Sequence, residues 1–286
     1  MTQLSAISVQ QTPVLSDIQF DILRMTGTDA VDFLQRISTN DFTRFRSGMV
    51  QHTLLVSDKG RIIDTLLVLH RGDDLLILVS TGMAHQVIEF LNKYIIMDDV
   101  TVIDESRNII AQMSEGVLSG GYPAEYFGMK VTITLRHIND AVQTRSTNRQ
   151  RAIDQWRITN GIPKAGKEIA QEYNPLELNL WDWISFTKGC YIGQEVIARL
   201  DTYKKIQRTL CSFHSKDPVQ EGQLIMDAEG AEIGKVTTVV AGNDGVIGLC
   251  IVRMKHAMIH RSHVLKQSMT SIEIDRVFQK GYDGAN

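Results

Sequence analysis

Cysteine is scarce in this sequence. There are three, Cys190, Cys211 and Cys250, an odd number with no C-x-x-C spacing. That argues against a disulfide framework or a structural zinc site, and it fits a reducing cytosol. Charge of one sign is lacking too. The formal net charge is −3, so nothing in the electrostatics calls for stable nucleic-acid binding. No apolar run approaches the roughly 20 residues of a membrane span. The stretch from Met1 to Pro13 is polar and lacks the basic-then-apolar pattern of a secretion signal. Internal repeats and low-complexity segments are absent. The expectation is a cytoplasmic globular protein with no membrane partner.

What is there is ordinary globular composition, 43% hydrophobic and 22% charged over 286 residues, enough for two or three modest cores. Apolar positions alternate at Ile18, Phe20 and Ile22, which predicts a strand. Ala30, Phe33, Leu34 and Ile37 then follow helical spacing, with Thr28 as a candidate cap. Strands are expected at 51–57, 61–70 and 75–80, a helix from Ala84 to Ile95, and another strand from Val100. Further strands are expected at 108–114 and 129–135, with the Gly-rich residues 116–128 between them as loop. A helix through Ala152, Ile153 and Trp156 ends at Gly161. Residues 162–174 lack periodicity and read as surface chain. From Ile206 onwards, short β runs alternate with glycine turns, the pattern of a small barrel. The fold expected is α+β: antiparallel sheets with packed helices, in halves of ferredoxin-like type, plus a C-terminal β-barrel. The domains expected are residues 1–105, 106–200 and 201–286.

The densest chemistry lies in Lys188-Gly189-Cys190-Tyr191-Ile192-Gly193-Gln194-Glu195, continuing to Ala198-Arg199. Two glycines free the backbone around a thiol, and a short helix begins directly after. A helix N-terminus and the Lys188 ammonium would both stabilise a thiolate at Cys190. The blander reading, a buried small hydrophobe, suits Cys211 and Cys250 better, since both lie in apolar strand patterns. Elsewhere, Asp64 interrupts an apolar strand, so it is either solvent-facing or held at a site. His256, His260 and His263 could share a helical face but lack the glutamate of H-E-x-x-H, and no metal site is assigned. With Arg253, Lys255, Arg261 and Lys266 they form a basic stretch, read first as a solvated face and otherwise as an anion landing place.

Lys-Gly-Cys-Tyr-x-Gly-Gln-Glu resembles the signature of the YgfZ family of folate-binding proteins, which are similar in fold to the glycine-cleavage T-protein, an aminomethyltransferase. Pro175-Leu176-Glu177, Asn179 and Ser185-Phe186-Thr187 extend the match, and Thr39-Asn40-Asp41 and Lys59-Gly60-Arg61 echo it. The resemblance implies three domains around a central channel that binds tetrahydrofolate. It implies a role in maintaining iron–sulfur enzymes, including tRNA-modifying ones, with client or assembly proteins as partners. By resemblance the catalytic candidates are Cys190 and Asp64. The folate-binding candidates are Asn40, Asp64, Lys188, Gly189, Tyr191, Gly193, Gln194, Glu195 and Arg199, with Asp41 a further carboxylate. A carboxylate suits the pterin edge in bidentate fashion. Two departures from T-proteins stand out: Thr65 replaces the second of two adjacent aspartates, and Thr159 replaces the glutamate that holds the pterin. The rival reading is a tetrahydrofolate-dependent aminomethyl or methyl transferase. A third is a binding module that has lost folate, for which Thr159 speaks. Trp181, Trp183 and Phe186 read first as core or channel wall, and otherwise as a surface that stacks on a pterin.

Overall fold

The computed structural model describes residue 15, residues 18–140 and residues 147–281. The first sheet holds β1 (Phe20–Thr26), β2 (Val50–Val56), β3 (Ile62–His70), β4 (Leu75–Ser80) and β5 (Thr101–Asp104) in the order β2-β3-β4-β1-β5. Its neighbouring strands are all antiparallel. The four strands β5-β1-β4-β3 have the order of a split β-α-β unit, with β2 added at the edge. Helices α1 (Ala30–Ile37) and α2 (Ala84–Tyr94) cover one face, Phe33, Leu34, Val87 and Leu91 meeting Leu23, Leu66 and Ile77. The other face, with Ile22, Leu67 and Leu78, packs on the second sheet and on residues from Tyr173 to Ile197. Burial on both faces is why β3 and β4 read as near-continuous apolar runs and not as clean alternation. Thr28 does not cap α1. Its hydroxyl donates to Asp99 at 3.0 Å, and Asp29 precedes the helix without a side-chain cap bond.

The second sheet has three strands, β6 (Ile109–Glu115), β7 (Tyr122–Tyr126) and β8 (Met129–His137), in the order β6-β8-β7. Strand β7 falls inside the stretch read as loop. It is an edge strand, where Pro123 can be tolerated, and the surrounding glycines mask its pattern. Helix α3 (Thr147–Asn160) follows, ending at Gly161 with φ +64°. Residues 162–174 do not wander over the surface as expected: Ile162, Glu168, Ile169 and Tyr173 are all buried. Helix α4 (Gln194–Thr202) leads into β9 (Arg208–Ser215), β10 (Leu224–Met226), β11 (Glu232–Ala241), β12 (Val246–Arg253), β13 (Ser262–Leu265) and β14 (Ser271–Phe278). These six close into a barrel, β10-β11-β12-β9-β14-β13. Cys211 and Cys250 face each other across β9 and β12, both buried, and burial pushes the Cys250 thiol up. Among the described residues, no helix is long and apolar enough to cross a membrane.

Candidate functional site: the Cys190 loop

The loop before α4 is held at both ends. Gly193 has φ +77°, and a Cβ there would lie 2.4 Å from the carbonyl oxygen of Ser57 in the β2–β3 turn. Across the contact, a Cβ on Gly60 would already stand 3.2 Å from Val196. Only glycine permits both the left-handed backbone and this approach. Ile197 is fully buried below, and Tyr191 is 8% exposed, its phenol pushed up by burial. At the other end, Lys188 Nζ donates to the carbonyl oxygens of Ser38 (2.8 Å) and Asn40 (2.6 Å), at the C-terminal end of α1. It also lies 5.3 Å from the Tyr191 ring centre. Lys188 therefore spends its charge on α1 and Tyr191, where the sequence reading directed it at the thiol. Burial lowers its pKa to about 8, against an opposing pull from Asp41. Between these anchors Gly189 and Cys190 are exposed. Gln194 Nε2 reaches the Gly189 carbonyl at 3.5 Å, while Glu195 and Arg199 project into solvent from α4.

Asp64 is fully buried. A bulge near Ile63 breaks the alternation assumed from sequence: Ile62 faces one core, Leu66 the other, and Asp64 stands opposite Leu55. Its carboxylate accepts the Ser80 N–H (2.9 Å) and the Ser80 hydroxyl (2.6 Å). Burial outweighs those bonds and raises its pKa to about 6. Each oxygen accepts from Ser80 and the group is fully buried, so Asp64 presents no open edge to a pterin.

Beyond Ser80, Phe20 meets Tyr126 edge-on at 6.3 Å, Phe127 lies 5.0 Å from Trp183, and His52 also lies 5.0 Å from Trp183. Trp183 is buried, while Phe20, Tyr126, Phe127 and His52 are half-buried. Asn40 closes this wall by donating to the His52 carbonyl at 2.8 Å. Asp41, next in sequence, is held below the usual carboxylate range, first by the Thr43 N–H and then by Gln35 and the Lys188 charge. Trp181 stacks obliquely on exposed Phe186 at 5.9 Å, and its indole N–H is buried without a partner among the described residues.

The comparisons agree with this architecture. Residues 8–114 match the GCVT N-terminal domain model. A chloroplastic protein of Arabidopsis thaliana is 29% identical over 88% of this chain and 68% of its own. A tRNA-modifying protein YgfZ of Colwellia psychrerythraea is 24% identical over 87% of this chain and 86% of its own. The crystal structure of the glycine cleavage system aminomethyltransferase T of Bartonella henselae superposes with a TM-score of 0.74 at 17% identity, covering 93% of this chain and 84% of that one. The chain is similar in sequence to YgfZ proteins and has the T-protein fold.

Within this fold, several of the candidates read from sequence come together. Lys188, Gly189, Cys190, Tyr191, Gly193 and Gln194 form one loop, joined to Asn40 through Lys188. Asp64 is bonded to Ser80 and to none of these loop residues. Thr159 is exposed, and its hydroxyl returns to the Gln155 carbonyl at 2.9 Å. For a folate, the aromatic residues around Trp183 offer flat apolar surface, while the buried Asp64 presents no open carboxylate. The three histidines do not share a helix: His256 sits in a 3-10 turn, His260 at φ +62° in a turn, and His263 on β13.

Sequence reading missed Glu168. Its carboxylate accepts from Arg157 Nη1 (3.1 Å), the Lys164 N–H (3.0 Å), Thr237 Oγ1 (2.5 Å) and Thr238 Oγ1 (2.7 Å). It is 0% exposed and ties α3 to the barrel strand β11. A buried ion pair with every lone pair engaged is tolerable where a lone buried charge is not. Lys-Glu in an aperiodic stretch gives no local signal of such a bond.

Proposed function

We propose that this protein is a folate-binding accessory protein that supports iron–sulfur enzymes, tRNA-modifying ones among them, through the thiol of Cys190. The observation that carries the reading is an exposed thiol on a loop pinned on both sides, by Lys188 to α1 and by Gly193 to the β2–β3 turn. Such a thiol meets a partner's atoms without rearrangement of its own backbone. One thiolate cannot supply the usual four ligands of a cluster, so any cluster contact is shared with the partner. The likeness to proteins named tRNA-modifying YgfZ supports the same reading. Reduced folate would lie against the aromatic wall around Trp183, in a cytoplasmic setting. With Asp64 buried against Ser80 and threonine in place of a glutamate at position 159, its affinity is modest.

A second reading has one observation of its own. Asp64, a buried acid raised to about 6, is the kind of group a one-carbon transferase uses near neutral pH. Relatives named aminomethyltransferase include one from Aquifex aeolicus, 25% identical over 69% of this chain. Complementation decides between the two. In cells deleted for the protein, Cys190→Ser should fail to restore iron–sulfur enzyme activity while Asp64→Asn restores it. The opposite pattern, with aminomethyl transfer measurable in vitro, would establish the transferase.

A further inference from the structure

A cavity of about 360 Å³ opens beside the Thr26 end of β1, away from the Cys190 loop. Arg24, Arg71, Glu105, Asn108, Ile109 and His137 line it, so both sheets contribute. Its size falls in the range of small-molecule pockets.

The lining has hydrogen-bond donors to spare. Arg24 Nε is buried with no acceptor in hydrogen-bond geometry among the described residues. Glu105 Oε1 lies 3.3 Å away, within ion-pair range only. The other oxygen of Glu105 already accepts the Asn108 amide at 2.7 Å, and Glu105 is 8% exposed. Glu105 therefore orients Arg24 and offers little to an incoming group. Arg71 directs Nε and Nη2 at Asp74, which fixes the plane of its guanidinium and leaves Nη1 unengaged among the described residues. Asn108 and His137 are exposed at the rim. Two guanidinium groups, each oriented through its Nε by a neighbouring carboxylate, suit an acceptor with several oxygens in a plane or tetrahedron. The two internal ion pairs cancel most of the net charge. Recognition would then rest on directed hydrogen bonds more than on long-range attraction.

We propose that this cavity binds the oxyanion end, carboxylate or phosphate, of a small metabolite, with Arg24 and Arg71 as the recognising residues. The site is independent of the function proposed for Cys190.

The test is calorimetry on the full chain near neutral pH at constant ionic strength. Inorganic phosphate and glutarate are titrated separately, with chloride as the blank. The expected result is saturable binding of at least one probe, with Kd on the order of 1 mM. Arg24→Gln should weaken it about tenfold or more, by loss of charge-assisted bonds. Arg44→Gln, which removes the same charge from an exposed position, should leave it unchanged. Saturation by phosphate alone assigns a phosphoryl ligand and by glutarate alone a carboxylate; saturation by both assigns an oxyanion site without preference. Should Arg24→Gln fail to fold, as judged by circular dichroism, Arg71→Gln carries the same comparison. If neither probe saturates, or the Arg24 and Arg44 variants weaken binding equally, the proposal is wrong.

Discussion

Lys188 donates a hydrogen bond to the carbonyl oxygen of Ser38, a residue 150 positions earlier in the chain. This one contact fastens the Cys190 loop to the end of α1, where helix carbonyls lack intrahelical donors and favour a cation. Its burial has a pH signature. The folded pKa, about 8, lies below the ordinary 10.5. Between those values the unfolded chain binds more protons, so the contribution of Lys188 to stability rises as pH rises through that window. Urea unfolding of wild type and Lys188→Met at several alkaline pH values should show a wild-type gain that the variant lacks. Parallel pH profiles would contradict it.

Asp64 has the opposite sign. Its folded pKa of about 6 exceeds the ordinary 3.8. The folded state binds the proton more tightly, so this contribution to stability is full below about 3.8 and lost as pH rises to about 6. Asp64→Asn should flatten that decline and leave the variant more stable at neutral pH, by up to about 3 kcal/mol. A variant less stable than wild type at neutral pH would mean that the Ser80 bonds outweigh the burial of the charge.

Gly193→Ala should destabilise the protein by about 2 kcal/mol or more, because it adds left-handed strain to a clash with the Ser57 carbonyl. Gly189→Ala is the matched control, since a Cβ there meets nothing within 4 Å. Equal denaturation midpoints for the two variants would remove the pinning argument.

Glu168→Gln leaves Arg157 buried beside a neutral partner. The expected loss is about 3–5 kcal/mol, seen as a lower urea midpoint. Because Thr237 and Thr238 lie on the barrel, amide exchange should quicken first along β11 and the end of α3. A loss confined to the first sheet would show that Glu168 does not join these parts.

Thiol labelling followed by mass spectrometry should modify Cys190 in the native protein, and Cys211 and Cys250 only after unfolding. Cys190→Ser should melt within about 2 °C of wild type, being an exposed and nearly isosteric change. Native labelling of Cys250 before Cys190 would contradict the burial of the barrel pair.

Local periodicity was enough to specify α1, α2, the five strands of the first sheet and the β-rich C-terminus. Each of those segments carries its own apolar pattern, set by the face it must bury. The Lys188–Arg199 motif was legible for a similar reason, since its glycines and thiol are adjacent in the chain. Strand β7 was hidden because an edge strand needs no strong pattern. Residues 162–174 were misread because what buries them is Glu168 bonding to Arg157, Thr237 and Thr238, partners up to 70 residues away. Only the tertiary structure decided that Lys188 bonds to the Ser38 and Asn40 carbonyls, and that Asp64 is buried with its carboxylate against Ser80. A charged side chain in the interior goes to whichever oxygen or N–H the fold brings within about 3 Å, and sequence spacing does not encode that proximity.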